Sequence, residues 1–447
     1  MSAIARVLHG GGITVQGSDR RASPLTDALQ ADGIRVMIGH APGHVHGADL
    51  VLASSAVPDD NVELREARAQ GIPVTRRPDF LGPLTEGYQV IAVAGAHGKT
   101  TVTAMIAQIM LAAGLDPTYI VGGVMKGLET NAGAGQSPYF VIEADEYRRT
   151  FLALTPSVAV ITNVEFDHPD CYPALRHVRL AFGDFIDRVA PEDRVVACGD
   201  DEIAHALAVA RHAAGGRVSL YGREPNADYA WRAREIEPHD RGGIRFVAVR
   251  RGEVMGPIAL RVPGSFNAVN AVAALTVTSA LGVEWAVAKE ALERFQGTAR
   301  RFEVLGEVDG VTVVDDYAHH PTQIRGILEA ARNRYGDRRL IAVWEPHTFS
   351  RIHALKDAFM RAFEGADQVA VMPIYAAREP DDGSLSSARL ARQVEHPAVW
   401  SEATLDAVVD RLATSVREDD VVLMLGAGNE TVAGKALLDR LEARRGA

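Results

Sequence analysis

Residues 90–94 form an apolar run, and the chain passes from it straight into Gly95-Ala96-His97-Gly98-Lys99-Thr100-Thr101 before a helical pattern takes over at 102–112. A buried strand that hands over to a helix through a glycine loop fits a sheet of parallel strands, because the helix must carry the chain back across a face of the sheet. Lysine followed by threonine at the helix start adds chemistry to that geometry. Backbone N–H groups and the positive end of the helix hold anionic oxygens, the lysine spans outer phosphates, and the hydroxyl reaches Mg2+. Val93 stands where the general phosphate-loop pattern has its first glycine, so the match is incomplete. An ordinary strand-to-helix turn is the competing reading of this stretch.

The same rhythm of short β-type runs and helical stretches covers most of the 447 residues, a length that exceeds what one core supports. Three blocks are expected. Residues 1–87 read as a Rossmann-like domain with runs at 13–15, 35–38 and 50–53, and with Ser23-Pro24 as cap and first-turn proline of a helix. Residues 88–297 read as a central phosphate-loop domain whose 229–262 stretch, rich in strands and free of helix, forms a β appendage. Residues 298–447 read as a second Rossmann-like domain, with strands at 311–314, 340–344, 369–372 and 421–425 and helices at 322–335 and 351–363. The fold class is α/β.

A net charge of −11 argues against nucleic acid as a partner, since phosphate-backbone binding needs a basic face. Cys171 and Cys198 show neither metal nor redox spacing, no apolar run reaches spanning length, and no leader pattern opens the chain. A cytoplasmic chain without membrane insertion is expected. His40, His44 and His46 share a Gly/Pro-bearing loop without evident carboxylate or cysteine partners, which reads as structural.

In parallel α/β sheets ligands gather at the carboxyl ends of strands, so polar clusters just after apolar runs carry weight. Four such clusters occur: Glu143-Ala144-Asp145-Glu146-Tyr147, Thr162-Asn163 with Asp167-His168, Asp315-Asp316-Tyr317-Ala318-His319-His320-Pro321, and Glu345-Pro346-His347-Thr348-Phe349-Ser350-Arg351. A carboxylate at a strand tip beside a phosphate loop is a common Mg2+ arrangement. Each cluster alone could be a solvated turn. Four together are harder to dismiss.

Taken in order with Gly17-Ser18-Asp19, Ser54-Ser55-Ala56, Phe266-Asn267, Asn270, Arg300-Arg301-Phe302-Glu303 and Gly426-Ala427-Gly428, these motifs resemble the Mur ligase family over nearly the whole chain. That family comprises ATP-dependent amide-forming enzymes of peptidoglycan synthesis. The two C-terminal motifs are most similar to members that join L-alanine to the lactyl carboxylate of UDP-N-acetylmuramate. Attachment of a ready-made tripeptide to the same sugar, or UDP-muramate binding without catalysis, are the alternatives.

The resemblance implies a role for each candidate residue. Gly95, Ala96, His97, Gly98, Lys99, Thr100 and Thr101 would cradle ATP, with Asn270 at the adenine, Asp316 at the ribose and Arg301 at the γ-phosphate. Thr100 and Glu143 would bind one Mg2+, and His168 a second ion. Ser54 and Ser55 would hold the uridine diphosphate, and Gly122, Gly123 and Asn131 the muramyl sugar. His320 and Arg351 would receive the amino acid. A monomer or weak homodimer is expected.

Three departures stand out. Met1-Ser2-Ala3-Ile4-Ala5 aligns with the family's first helix, so the strand and glycine loop that precede it are expected to be missing, either through the choice of start codon or through real loss. Thr348 occupies a position where many relatives carry arginine. Residues 168–185 contain Arg176 and Arg179 but no lysine, so the carbamylated lysine of several relatives is not expected.

Overall fold

The computed structural model describes residues 1–226, 228–239, 242–381 and 383–445. They divide into two compact units. The first comprises residues 1–164, 180–221 and 273–288, and the second comprises 165–179, 222–272 and 289–447.

The first unit opens with the helix Ser2–Gly10, which buries Ala3, Ile4 and Val7. Two parallel strand pairs follow, β1 (Gln16–Asp19) with β2 (Arg35–Ile38) and β3 (Val51–Ala53) with β4 (Val74–Arg76). The strand expected at 13–15 begins instead at Gln16, because the apolar residues before it lead out of the helix turn. Ser23 caps the helix Pro24–Ala31 as its sequence predicts: Thr26 N–H donates to the Ser23 hydroxyl, and Ser23 N–H donates to Thr26 Oγ1.

The main sheet of this unit is ordered β11-β10-β9-β5-β8-β6-β7. Its strands are β5 (Gln89–Ala94), β6 (Thr118–Met125), β7 (Thr130–Gly133), β8 (Tyr139–Glu143), β9 (Val158–Ile161), β10 (Arg194–Cys198) and β11 (Arg217–Gly222). All pairs are parallel except β6–β7. β5 lies at the centre with five of its six residues buried, so its loop opens where the strand order reverses. The following helix, Lys99–Ala112, is buried over most of its length.

The second unit holds an antiparallel ribbon of β12 (Tyr229–Pro238), β13 (Ile244–Arg250) and β14 (Glu253–Leu260), as the helix-free stretch predicts. Its larger sheet is ordered β15-β16-β20-β17-β18-β19. These strands are β15 (Glu303–Val308), β16 (Val311–Asp316), β17 (Leu340–Trp344), β18 (Gln368–Val371), β19 (Val399–Ser401) and β20 (Val421–Leu425), all parallel save the edge strand β15. Separate apolar cores cover its two faces, one around Trp344, Phe359 and Phe363, the other around Val343, Met424 and Leu437. The helix expected over 351–363 is split into Phe349–Ala354 and Lys356–Met360, because Leu355 leaves helical geometry at φ −114°. No helix among the described residues is long and apolar enough to cross a membrane.

Candidate active site

Strand register explains the phosphate loop. Ala94 of β5 pairs with Ile161 of β9, which sets Thr162 level with Gly95. A Cβ at Gly95 would lie 1.9 Å from Thr162 Oγ1, and the residue adopts φ +145°. Only glycine fits there. Asn163 then clamps the loop: its carbonyl accepts Ala96 N–H at 3.1 Å, its Oδ1 accepts His97 N–H at 2.8 Å, and its amide donates to the His97 carbonyl at 3.1 Å. Ala96 and His97 thus shape the loop. Gly98, at φ +83°, turns the chain into the helix that carries Lys99, Thr100 and Thr101.

Lys99 donates to the Gly95 carbonyl at 2.6 Å and to both carboxylate oxygens of Glu146 at 2.9 and 2.7 Å. Burial works against its ammonium, but the charges of Glu146, Asp145 and Glu143 outweigh that cost and raise its pKa. Thr100 donates to Glu143 at 2.9 Å, and Gly122 N–H donates to the same carboxylate oxygen at 2.9 Å. Gly122 must be glycine, since a Cβ would meet that oxygen at 2.2 Å. Thr100 and Glu143, both expected at one Mg2+, are thus hydrogen-bonded to each other. Their hydroxyl and carboxylate oxygens are the hard donors that Mg2+ prefers. Glu146 received no role from the sequence, although three carboxylates within four residues exceed what one divalent ion needs.

Elsewhere in this unit Asn131 Oδ1 accepts from Arg6 at 2.8 Å, and Gly123 lies on β6 beside Gly122. Ser54 and Ser55 follow β3, with the Ser54 carbonyl accepting from Arg76 at 3.0 Å. His40 and His44 have the carboxylate partner that the sequence did not disclose: their Nδ1 atoms lie 3.2 and 2.7 Å from Glu63, which also accepts from Ser18 at 2.7 Å. Burial pushes the Glu63 carboxyl up, but the hydrogen bonds from Ser18 and His44 prevail and lower its pKa.

The second unit carries His168, Asn270, Arg301, Asp316, His320 and Arg351. Arg351 is almost fully buried, donating from Nε to Asp167 at 2.7 Å and contacting His347 Nδ1 at 2.8 Å through Nη1. Asp167 is equally buried. Desolvation opposes its charge, but Arg351 and the flanking His319 and His168 hold its carboxyl well below the usual range. Burial and the same guanidinium push His319 down to about 3 and His347 down to about 4, so both imidazoles are neutral. His168, at φ +54°, adjoins this network with Nε2 3.8 Å from Asp167. His320 caps the helix Pro321–Tyr335: Nδ1 accepts Thr322 N–H at 3.3 Å, which leaves Nε2–H to donate to the Phe166 carbonyl at 3.2 Å.

Asp316 accepts Phe302 N–H at 2.7 Å; burial raises its pKa to about 6 against the pull of Arg301. Arg301 stacks over Tyr317 at 5.2 Å, and Asn270 donates to Asn267 at 3.0 Å. Asp167 was visible only as part of a motif; its partnership with Arg351 joins residues 184 positions apart, which no local pattern reveals.

Three family models match the chain: "Mur ligase family, catalytic domain" over residues 1–89, "Mur ligase middle domain" over 93–278 and "Mur ligase, glutamate ligase domain" over 300–428. The chain belongs to the Mur ligase family. Among its curated relatives, the UDP-N-acetylmuramate–L-alanine ligase of Frankia casuarinae is 42% identical, with 99% of this chain and 95% of that protein covered. The protein of the same description from Caldanaerobacter subterraneus subsp. tengcongensis is 41% identical over 98% of this chain and 95% of its own. Of the solved Mur ligase structures, UDP-N-acetylmuramate–alanine ligase of Thermotoga maritima aligns with a TM-score of 0.82 at 27% identity, covering 99% of this chain and 97% of that one. A murein peptide ligase from Psychrobacter arcticus aligns at 0.72 and 25% identity, covering 99% and 96%. The α/β Mur ligase fold expected from the motifs is the fold observed.

Proposed function

We propose that this Mur ligase joins L-alanine to the lactyl carboxylate of UDP-N-acetylmuramate, with ATP converted to ADP and phosphate. The substrate carboxylate attacks the γ-phosphorus and ADP leaves, giving an acyl phosphate. The amino group of L-alanine then attacks the acyl carbon, phosphate departs and the amine sheds a proton. A carboxylate is a poor electrophile, so phosphorylation is what makes amide formation feasible.

The observation that carries the reading is the Lys99–Thr100–Glu143–Glu146 cluster on a clamped phosphate loop, in a chain of which 98–99% aligns with relatives of that description. Lys99 stays charged on burial and is suited to stabilise the transferring phosphoryl group. Thr100 and Glu143 would hold Mg2+, which when bound supplies charge neutralisation at the phosphates. His168 is the proposed ligand of a second ion. Asn270, Arg301 and Asp316 are assigned to ATP, Ser54, Ser55, Gly122, Gly123 and Asn131 to the UDP-sugar, and His320 and Arg351 to the amino acid. Domain limits at 87 and 297 belong to the same reading, as do a cytoplasmic location and a monomer or weak homodimer.

The test is phosphate release by the purified chain with UDP-N-acetylmuramate, ATP and Mg2+, comparing L-alanine, glycine, L-serine and the tripeptide. Turnover that requires L-alanine supports the assignment. Turnover confined to the tripeptide moves it to the peptide-attaching members, and none with any acceptor defeats it.

A further inference from the structure

At the carboxyl ends of β16, β17 and β20 three buried carboxyls crowd together. Glu345 is 2% exposed, while Glu430 and Asp315 are fully buried. One guanidinium, Arg300, faces them; it pairs with Glu430 and lies 3.8 Å from Asp315. Asp316 follows at the same strand end, where Arg301 is its counter-charge. Tyr375 packs beside Gly428 on the other side. Register makes the cluster unavoidable, because Asp316 and Trp344 both pair with Leu425, so Glu345 and Gly426 leave the sheet at one level.

The loop after β20 is built around Glu345. Both its carboxyl oxygens accept Asn429 N–H, at 2.9 and 2.8 Å, and Gly428 N–H donates to Glu430 at 2.7 Å. A Cβ at Gly428 would come within 2.5 Å of a Glu345 oxygen, and one at Gly426 within 2.9 Å of Glu345 Cβ. The carboxyls of Glu345 and Glu430 converge on the same loop, each with an oxygen 3.2 Å from where a Gly426 Cβ would stand. Three buried carboxyls facing one guanidinium leave negative charge uncompensated, and a proton held between Glu345 and Glu430 replaces their repulsion by a hydrogen bond.

We infer that Glu345 is a positioning residue: as a carboxylic acid donating to Glu430, it ties the Gly426–Asn429 loop to the Pro346–His347 turn, and through His347 it keeps Arg351 in place. His347 contacts Arg351 at 2.8 Å and bridges to Tyr375, so the turn has little freedom once Glu345 is fixed. Loss of the proton sets two anions against each other in a site with one guanidinium, and both loops loosen. Burial followed by Glu430 pushes the Glu345 carboxyl up to about 8, which places the change within reach of experiment.

The test uses the full chain and Glu345→Gln, whose amide reproduces the protonated acid, alongside Glu345→Ala. Its kinetic arm rests on the assignment of Arg351 to the amino acid. Between pH 8 and 9 the KM for L-alanine of the parent should rise about fivefold relative to E345Q, the factor for deprotonation with a midpoint near 8. Titration of the alanine amine is common to both and cancels. E345A should raise that KM about tenfold at pH 7, while the KM for ATP stays within about twofold. The structural arm does not depend on the assignment. The parent should show an infrared carbonyl band of a protonated carboxyl at pH 7 that E345Q lacks, and should lose thermal stability relative to E345Q from pH 5 to 8. A band and melting profile that match the expectation while the KM values do not would overturn the link to Arg351 alone. E345Q that tracks the parent in band and melting profile overturns the proposal, as does folded E345A with the parent's KM.

Discussion

The phosphate loop and the Arg351 network are both buried clusters of charge, and they are built in opposite ways. Around Lys99 one cation is surrounded by carboxylates close together in sequence, and the left-handed backbone falls on Gly95 and Gly98. Around Arg351 the partners come from positions 167, 319 and 347, the imidazoles are neutral, and positive φ falls on His168 and Thr348 instead of glycine. The first joins one loop to one strand end. The second is assembled by tertiary structure and carries strain. Under the proposed assignment the first serves ATP, common to every turnover, and the second one amino acid, a division of labour that would suit the two designs.

The largest effect should separate the two by kinetics. On the proposed assignment, Lys99→Ala removes the cation that would face the transferring group and should lower kcat by roughly 10^3-fold for every acceptor. Arg351→Ala should act mainly on the KM of the amino acid, by about 10^2-fold, with little change in the KM for ATP. Phosphate-release kinetics with each substrate varied in turn measure both. Equal effects of R351A on all three KM values would erase the distinction.

Next in size is the Asp167–Arg351 pair itself. Removing one partner of a buried ion pair leaves an uncompensated charge, so Asp167→Asn should cost about 3–5 kcal/mol in denaturant unfolding. Adding Arg351→Met to that variant should recover much of the loss, because no unpaired charge is then buried. An additive double variant would show that the pair is not the energetic unit that the 2.7 Å contact indicates.

The contrast also explains what was readable in advance. The loop at 95–101 and most strands followed from residues adjacent in sequence or from the pattern of apolar runs, whereas the placing of Thr100 with Glu143 followed only from the family resemblance. Glu146 escaped assignment although its motif was in view, since nothing local says that it, and not Glu143, meets Lys99. Asp167 and Glu63 escaped for a stronger reason: their partners lie 184 residues away in one case, and 23 and 19 residues away in the other. Arg76 likewise holds the carbonyls of Ser54 and Val57, 22 and 19 residues away. Side-chain networks of this kind depend on which loops the fold brings together, and periodicity carries no such information.

A smaller effect is expected from pH, and it acts on one side only. Burial raises Asp315 to about 7 and Asp316 to about 6, so the folded chain retains protons that the unfolded chain releases above about pH 4. Their contribution is therefore fully present below pH 4 and is lost as pH rises through 6 to 7. Lys99, with a raised pKa, keeps its contribution across this whole range. Thermal midpoints at pH 5 and pH 8 should differ less in Asp315→Asn than in the parent chain. An unchanged difference would mean that Asp315 is not one of the groups holding a proton.

The smallest effect tests the backbone half of the contrast. Thr348 sits at φ +62° and ψ +138°, with its N–H donating to the Tyr375 carbonyl at 2.9 Å. A β-branched residue held there costs about 1–3 kcal/mol in backbone strain. Thr348→Gly relieves that strain and gives back about 0.5–1 kcal/mol through the greater freedom of the unfolded chain. The net gain should be about 1 kcal/mol, read as a higher denaturation midpoint with unchanged slope. Gly98→Ala, made where the phosphate loop already uses glycine at φ +83°, should move the midpoint the other way. Two shifts of the same sign would mean that the loop at Thr348 bears no more strain than the phosphate loop, and the distinction between the two regions would then rest on charge alone.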